Sequence, residues 1–222
     1  MRSIQRYGLT ERLVHLAAAV SYLYLLATGL AFWTPALYWA AVVLGGGYLS
    51  RLLHPWAGLV FAAIVTWMYV LWRRDMRITD ADRAWRRAMG SYVRNDDGAV
   101  PAAGRFNYGQ KMLFWVMAGG GAALLASGVV IWFVAEVPWD LRILRYSATL
   151  VHAASALVTI GGFIVHVYMG VAVVPGGLSA VIHGRVSDEW ARRHHPLWLA
   201  EIEATPELSS SRRPVPAAPP RQ

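Results

Sequence analysis

Residues 146–174 read YSATLVHAASALVTIGGFIVHVYMGVAVV, a stretch that contains no Asp, Glu, Lys or Arg. A helix rises about 1.5 Å per residue, so about 20 apolar residues cross the roughly 30 Å hydrocarbon core of a bilayer. The stretch is therefore long enough to span a membrane. It also carries His152 and His166. An imidazole in hydrocarbon needs a partner, so both histidines are candidate functional residues.

Three further uncharged runs precede this one, and the four together predict an all-α integral membrane protein with a bundle of four transmembrane helices. We expect the helices at about residues 13–33, 54–72, 110–135 and 146–174. A shorter run, residues 36–49, has three glycines near its end and is typical of an interfacial or re-entrant segment.

The chain is expected to divide into three parts along its length. Residues 1–180 form the transmembrane domain, and residues 181–204 form a cytoplasmic C-terminal segment. Residues 205–222 are rich in Pro, Ser and Ala, a composition that predicts a disordered tail.

The composition supports a membrane protein and limits its chemistry. Of the 222 residues, 56% are hydrophobic and only 15% are charged, whereas globular domains carry about 25% charged residues. The chain has no Cys, which excludes disulfides, Cys-ligated iron–sulfur clusters, cysteine nucleophiles and covalently attached c-type haem. Any metal must be held by His, Met or oxygen ligands.

The positive charges set the expected orientation. Eighteen of the 21 Lys and Arg residues lie before the first span, in the loop at residues 73–111, or after residue 184. Only Arg51, Arg142 and Arg145 lie in the other loops. The positive-inside rule therefore predicts a multi-pass membrane protein with both termini in the cytoplasm. This asymmetry accounts for the net charge of +8, so a nucleic-acid partner is not expected.

Four of the seven histidines lie within the predicted spans, and their depths match in pairs. The topology places His54 with His152 near the periplasmic side, and His15 with His166 near the cytoplasmic side. His152 and His166 are 14 residues apart, which is about 21 Å along a helix and within about 40° of a whole number of turns. One helix face can thus supply one histidine to each of two layers.

Two imidazoles from different helices in an apolar slot are typical of a non-covalent b-type haem. A small residue follows each histidine by one helical turn, which leaves room for a porphyrin: Ala19, Gly58, Ala156 and Gly170. Small residues also promote ordinary helix packing, and a single buried histidine is often only a helix–helix hydrogen bond. Zinc is less well supported, because no Cys, Asp or Glu completes a tetrahedron. Iron with two axial histidines has no open position, which favours electron transfer over oxygen chemistry.

Several motifs, in order along residues 6–203, resemble those of the cytochrome b (gamma) subunits of respiratory, membrane-bound formate dehydrogenases. They are RLLHPWAG at 51–58, GRFNYGQK at 104–111, RYS at 145–147, HAA at 152–154, HVYM at 166–169, GRV at 184–186 and WARRHHP at 190–196. The resemblance does not extend to the tail after about Pro206.

The resemblance implies two b-type haems, with His54 and His152 on the periplasmic haem iron and His15 and His166 on the cytoplasmic one. This matches the pairing from depth. It also implies a menaquinone or ubiquinone site at Asn107, Gly109 and Gln110, the family's Asn-x-Gly-Gln. From the residues alone, Asn107 is equally suited to cap the third helix.

By the same resemblance, the chain anchors a formate dehydrogenase complex in the lipid membrane. Its partners would be an iron–sulfur beta subunit and a molybdenum- or tungsten-containing catalytic subunit on the periplasmic side. Electrons from formate would pass through the two haems to quinone at the cytoplasmic side, so the chain itself would not oxidise formate. Two alternatives stay open: the cytochrome b of another periplasmic dehydrogenase, such as a nickel–iron hydrogenase, and a transporter or assembly factor without redox activity.

Overall fold

A computed structural model describes residues 2–94, 100–204 and 213–214 of the chain. In chain order its helices are Leu9–Trp33 (α1), Tyr38–Val43 (α2), Gly47–Trp72 (α3), Asp80–Arg87 (α4), Met89–Val93 (α5), Tyr108–Trp132 (α6), Arg142–Tyr168 (α7), Gly177–His183 (α8), Asp188–His194 (α9) and Pro196–Ala204 (α10). Short 3₁₀ turns cover Pro35–Leu37, Val134–Glu136 and Trp139–Leu141, and a π-helical turn, Met169–Val173, follows α7.

The four predicted spans are present as α1, α3, α6 and α7, each long and apolar enough to cross a membrane. The main difference from the expected bounds is that α3 begins at Gly47, before Arg51. The charge of Arg51 marked the edge of the apolar run, but a long Arg side chain near a helix end can extend to the membrane surface without breaking the helix.

Residues 36–49, predicted as one interfacial or re-entrant segment, divide into a 3₁₀ turn, the six-residue α2 and the first turn of α3. Gly45 and Gly46 connect α2 to α3, each with a φ of +97°. Residues with side chains rarely adopt this left-handed conformation, which explains why glycine occupies the connection.

The chain divides into two compact units. One, the bundle unit, comprises Leu13–Leu71 and Phe114–Val165. The other, the terminal unit, comprises Met1–Arg12, Trp72–Leu113 and His166–Gln222. The borders run through the long helices, whereas the sequence suggested one border near residue 180.

In the bundle unit, the four long helices contact one another through aromatic and small residues. The Tyr22 ring of α1 lies 5.8 Å from that of Phe61 on α3 and 5.2 Å from that of Phe163 on α7. Between α6 and α7, a Cβ placed on Gly120 would lie 2.5 Å from Cγ2 of Thr159. Most outward side chains are apolar and exposed, as Leu150 is at 71%, which is the surface expected to face lipid.

The terminal unit contains a small antiparallel sheet, so the prediction of a purely helical fold needs correction. Its strands are Arg2–Gln5 (β1), Arg185–Ser187 (β2) and Arg213–Pro214 (β3), in the order β2-β1-β3. Ser3 pairs with Ser187 in β2 and with Arg213 in β3. Strands this short carry too little periodicity to be seen in a sequence. The predicted disordered tail lies outside the described residues except for β3.

Hydrophobic residues from β1, α8, β2, α9 and α10 form the core of the terminal unit. It includes Ile4, Val186, Trp198, Leu199 and Ile202. Gly184 turns the chain from α8 into β2 with a φ of +74°, and a Cβ there would lie 2.7 Å from the backbone oxygen of Tyr7. The first residues of the chain thus pack directly on the segment that follows the last long helix.

Candidate functional site

The bundle unit brings His54 of α3 and His152 of α7 together. Their ring centroids are 6.5 Å apart, and the ring planes are inclined at 57°. Phe32 of α1 lies edge-on to His54, with ring centroids 5.5 Å apart. The two histidines predicted to share the periplasmic layer therefore face each other.

A threonine hydroxyl determines which nitrogen of His54 carries the proton. Thr28 Oγ1 lies 2.7 Å from His54 Nδ1 and 2.8 Å from the carbonyl oxygen of Tyr24. A hydroxyl has a single proton; when Thr28 donates it to that carbonyl, the hydroxyl oxygen accepts from Nδ1 of His54. Nδ1 of His54 then carries the proton, and its Nε2 has a free electron pair.

His152 has the same arrangement with a serine of α6. Ser127 Oγ donates to the carbonyl oxygen of Ala123 at 2.6 Å and lies 3.1 Å from His152 Nδ1. By the same reasoning, Nδ1 of His152 donates to Ser127 and Nε2 keeps its electron pair. Metal-bound histidines characteristically donate their other ring N–H in this way.

The spacing of the two rings fits a single metal held between them. Two metal–nitrogen bonds of about 2 Å, and about 1.1 Å from each nitrogen to its ring centre, place such rings about 6 Å apart. A Cβ on Gly58, one turn after His54, would meet nothing within 4 Å, so there is open space beside the histidine on that helix. Within the described residues, no three His, Asp or Glu side chains form a group able to hold a metal ion alone. The pair thus suits a haem, whose porphyrin supplies the other four iron ligands.

His15 and His166 fall in different units. His15 lies in the second turn of α1, within the bundle unit, and His166 lies near the end of α7, within the terminal unit. Their pairing around a second haem stays a prediction.

Asn107 and Gln110 of the terminal unit form a reciprocal capping pair at the start of α6. The backbone N–H of Gln110 donates to Asn107 Oδ1 at 2.9 Å, and that of Asn107 donates to Gln110 Oε1 at 2.9 Å. This geometry satisfies two backbone donors at a helix start. It confirms that Asn107 caps the third long helix, as its residue type allowed.

Capping leaves the amide nitrogens of both side chains available. Neither has a hydrogen-bond partner in the part of the chain that the structure describes. Asn107 is 8% exposed, and Gln110 lies at the surface. A Cβ on Gly109, between them, would lie 3.7 Å from the ring of Trp85, which is buried. Two N–H donors beside an indole suit a flat ligand with carbonyl acceptors, as a quinone has.

A buried ion pair follows directly on this turn. Lys111 Nζ lies 2.6 Å from Asp82 Oδ2 and also donates to the backbone oxygen of Arg77 at 2.9 Å. Burial alone would raise the pKa of Asp82, but hydrogen bonds from Lys111 and Thr79 lower it below its usual value. Asp82 is in the first turn of α4, so the pair ties α4 to the start of α6.

Arg105, just before Asn107, joins two acidic residues. Its guanidinium lies 2.7 Å from Glu11 Oε1 and 2.8 Å from Asp75 Oδ2. Burial alone would lower the pKa of Arg105, but the two carboxylates raise it above its usual value. Arg105 therefore stays charged and fixes the chain leading into Asn107.

His195 and Arg6 hold the same segment from the other side. His195 Nδ1 lies 2.7 Å from the backbone oxygen of Gly104, and the guanidinium of Arg6 donates to the backbone oxygen of Arg105. Four aromatic rings surround that guanidinium: Tyr7, Phe106, Trp190 and Trp198. Burial lowers the pKa of Arg6, and burial together with the charge of Arg6 holds the pKa of His195 well below its usual value. His195 lies in a polar part of the sequence, yet it is only 2% exposed.

Sequence reasoning also missed Thr28 and Ser127. A hydroxyl bonded to the backbone of its own helix is common in apolar spans and carries no functional signal by itself. A signal was nevertheless present, because the two residues occupy matching places in LLATG at 25–29 and LLASG at 124–128.

Comparison with known proteins adds a family. The profile described as prokaryotic cytochrome b561 matches residues 6–184. The chain is 32% identical over 207 residues to the formate dehydrogenase cytochrome b556(fdo) subunit of Escherichia coli K12, covering 92% of this chain and 96% of that protein.

Two further relatives have similar names. The nitrate-inducible formate dehydrogenase cytochrome b556(Fdn) subunit of Escherichia coli K12 is 30% identical, covering 91% of this chain and 93% of that protein. The formate dehydrogenase cytochrome b556 subunit of Haemophilus influenzae is 30% identical, covering 89% and 83% respectively. These matches confirm the resemblance that the sequence motifs indicate.

Proposed function

Because the chain belongs to the prokaryotic cytochrome b561 family, we propose that it is the di-haem cytochrome b anchor of a formate dehydrogenase complex. The curated relatives, matched over most of their length, are cytochrome b subunits of formate dehydrogenases. In this role the chain is a redox subunit that transfers electrons and reduces quinone, while a partner oxidises formate.

The facing pair of His54 and His152 is the observation that carries the proposal. With Nδ1 protonated on both rings, each Nε2 has the free electron pair that an axial haem ligand needs. His15 and His166 hold the second b-type haem. A haem held by two histidines has no open position on iron and supplies one-electron transfer when bound.

Quinone, either menaquinone or ubiquinone, binds at Asn107, Gly109 and Gln110. The amide nitrogens of Asn107 and Gln110 donate to a quinone carbonyl, while their oxygens cap α6. Gly109 keeps the space between the two side chains open. Reduction of a quinone to a quinol consumes two protons, and the cytoplasmic location assigned to this turn allows them to come from the cytoplasm.

The orientation and partners complete the proposal. The concentration of 18 of 21 basic residues on one side supports cytoplasmic termini in a bacterial inner membrane. An iron–sulfur subunit and a molybdenum- or tungsten-containing catalytic subunit then dock on the periplasmic side, next to the His54 and His152 layer. Electrons enter the chain there and leave at the quinone turn.

The haem assignment is tested with the purified full-length chain. We expect a b-type absorption spectrum with two haems per chain, and one haem in the His152→Ala variant. The matched control is His183→Ala, because His183 is exposed on α8, where Ser179 lies within hydrogen-bond distance of its ring. Two haems in the His152→Ala variant would contradict the assignment.

The quinone and donor assignments need separate measurements. Gln110→Ala should impair quinone reduction with both haems retained, whereas Gln5→Ala, at an exposed position of β1, should not. Equal turnover in these two variants would place the quinone elsewhere. The subunits that copurify from the native membrane test the donor: a formate dehydrogenase supports the proposal, and a nickel–iron hydrogenase contradicts it.

A further inference from the structure

A nine-residue stretch occurs twice in the bundle unit. Residues 25–33 of α1 read LLATGLAFW, and residues 124–132 of α6 read LLASGVVIW. Each stretch contains a hydroxyl residue followed by glycine, and each ends in tryptophan. A hydroxyl and the histidine it contacts are 26 residues apart in the first case and 25 in the second. The repeat thus extends from the stretch to a histidine on the next long helix.

The hydroxyl has the same contacts in both copies. Thr28 and Ser127 each donate to the carbonyl four residues earlier, and each hydroxyl oxygen lies within hydrogen-bond distance of Nδ1 of a histidine, from which it can then accept. Both are buried, at 0% and 5% exposure, so water does not compete for the histidine proton. An N–H group in this apolar surrounding would be costly to leave without an acceptor.

The glycine lies against the same ring as the hydroxyl. A Cβ on Gly29 would lie 3.7 Å from Cε1 of His54, and one on Gly128 would lie 3.2 Å from Cε1 of His152. Cε1 is bonded to both ring nitrogens. Because glycine has no Cβ, the histidine ring can lie this close to the neighbouring helix. A methyl group at Gly128 would displace the ring of His152.

We propose that Thr28-Gly29 and Ser127-Gly128 are matching positioning pairs for the two histidines of the periplasmic haem. The hydroxyl fixes the proton on Nδ1 and the rotation of the ring, and the glycine sets its distance from the helix. This inference rests on the proposed ligation by His54 and His152. It assigns to four further residues the task of presenting two neutral imidazoles with Nε2 towards iron.

The pairs also influence the reduction potential. An acceptor on Nδ1–H makes the imidazole a stronger electron donor, which stabilises oxidised iron. Removing the acceptor should therefore favour reduced iron. We expect up to about a tenfold change in the reduction equilibrium for each hydroxyl, which equals about 59 mV for a one-electron couple.

The test is a spectroelectrochemical titration of the full-length protein in detergent. Thr28→Val and Ser127→Ala should raise the potential of one haem and leave the other unchanged, so the second haem serves as an internal reference. Thr66→Val and Ser21→Ala are matched controls, because their hydroxyls donate to backbone carbonyls of their own helices. Thr28→Ser, which keeps the hydroxyl, should restore the original potential.

Each outcome bears on the proposal. Potentials of the Thr28 and Ser127 variants equal to those of the controls would overturn it. If the Ser127→Ala variant loses one haem and the Ser127→Thr variant keeps both, the haem content alone supports positioning by the hydroxyl, and no reduction potential is needed. The His152→Ala variant is titrated in parallel, and retention of both haems in it would refute the ligation itself. If it loses one haem but the reduction potentials of the Thr28 and Ser127 variants do not shift, only the positioning role is refuted.

Discussion

The guanidinium of Arg6 donates a hydrogen bond to Nε2 of His195 across 3.2 Å. Arginine can only donate, so Nε2 must be the acceptor and Nδ1 must carry the proton that goes to the backbone oxygen of Gly104. His195 is therefore neutral in the folded protein. A proton on Nε2 would remove this bond and place two positive groups in contact.

Acidification should destabilise the terminal unit through His195. The folded ring has a pKa well below its usual value because of burial and Arg6, whereas the unfolded ring titrates near 6.5. The unfolded chain thus binds the extra proton first, and stability is lost as the pH falls below about 6.5. The charge of His194 also lowers the pKa of His195, so it acts in the same direction as Arg6.

The measurement is thermal unfolding followed by tryptophan fluorescence between pH 8 and pH 5. The His195→Asn variant keeps a donor for Gly104 but does not titrate, so its unfolding temperature should fall less steeply with acid than that of the unaltered protein. The control, His183→Asn, should keep the original slope. Equal slopes in both variants would be inconsistent with a neutral, buried His195.

Removing Lys111 should leave a buried charge on Asp82. The two side chains are 8% and 7% exposed, so Lys111→Met is expected to destabilise the protein by about 3 kcal/mol. The combined variant Lys111→Met with Asp82→Asn should recover much of this loss. The exposed pair of Asp80 and Arg83 is the control, and Arg83→Met should have no measurable effect in urea unfolding. Similar losses for the two single variants would refute the prediction.

Two adjacent glycines of α6 should respond in opposite ways to alanine. A Cβ on Gly120 would lie 2.5 Å from Cγ2 of Thr159, whereas one on Gly119 would meet nothing within 4 Å. Gly120→Ala should lower stability by about 1–3 kcal/mol through overpacking, and Gly119→Ala should not. Adding Thr159→Ser, which removes Cγ2, should rescue Gly120→Ala in thermal unfolding. Absence of rescue would show that this contact is not the cause.

Asn107 offers a way to separate capping from quinone binding. Asn107→Asp keeps the oxygen that caps α6 but loses the amide donor, so thermal stability should be retained while the KM for a short-chain quinone rises about tenfold. Asn107→Ala loses both groups and should lower stability as well. An unchanged KM in the Asp variant would restrict Asn107 to capping.

The sequence was sufficient to predict the four long apolar helices and the proximity of His54 to His152. Both depend on quantities that a linear sequence contains, namely the length of an apolar run and the depth of a residue within it. The start of α3 was misplaced because a charge ends an apolar run without ending a helix, as Arg51 illustrates. Capping by Asn107 was also within reach, since it depends on residues only three positions apart.

The surroundings of the quinone turn were not predictable. His195 and Gly104 are 91 residues apart, and Arg6 and His195 are 189 apart. No local pattern reports such contacts, and a histidine in a polar segment is ordinarily solvated. The hydroxyl partners of His54 and His152 were missed for a different reason: their signal is a comparison between two distant stretches rather than a property of either one.

The pairing of β1 with β2 has a consequence for the order in which the protein is made. Ser3 is synthesised before the four long helices, but its partner Ser187 is synthesised only after all of them. Closing so long a loop is slow, because distant parts of the chain must meet before any contact stabilises them. β1 must therefore wait unpaired while the four long helices are made, and the turn at Asn107 acquires its contact with His195 only after the last of those helices.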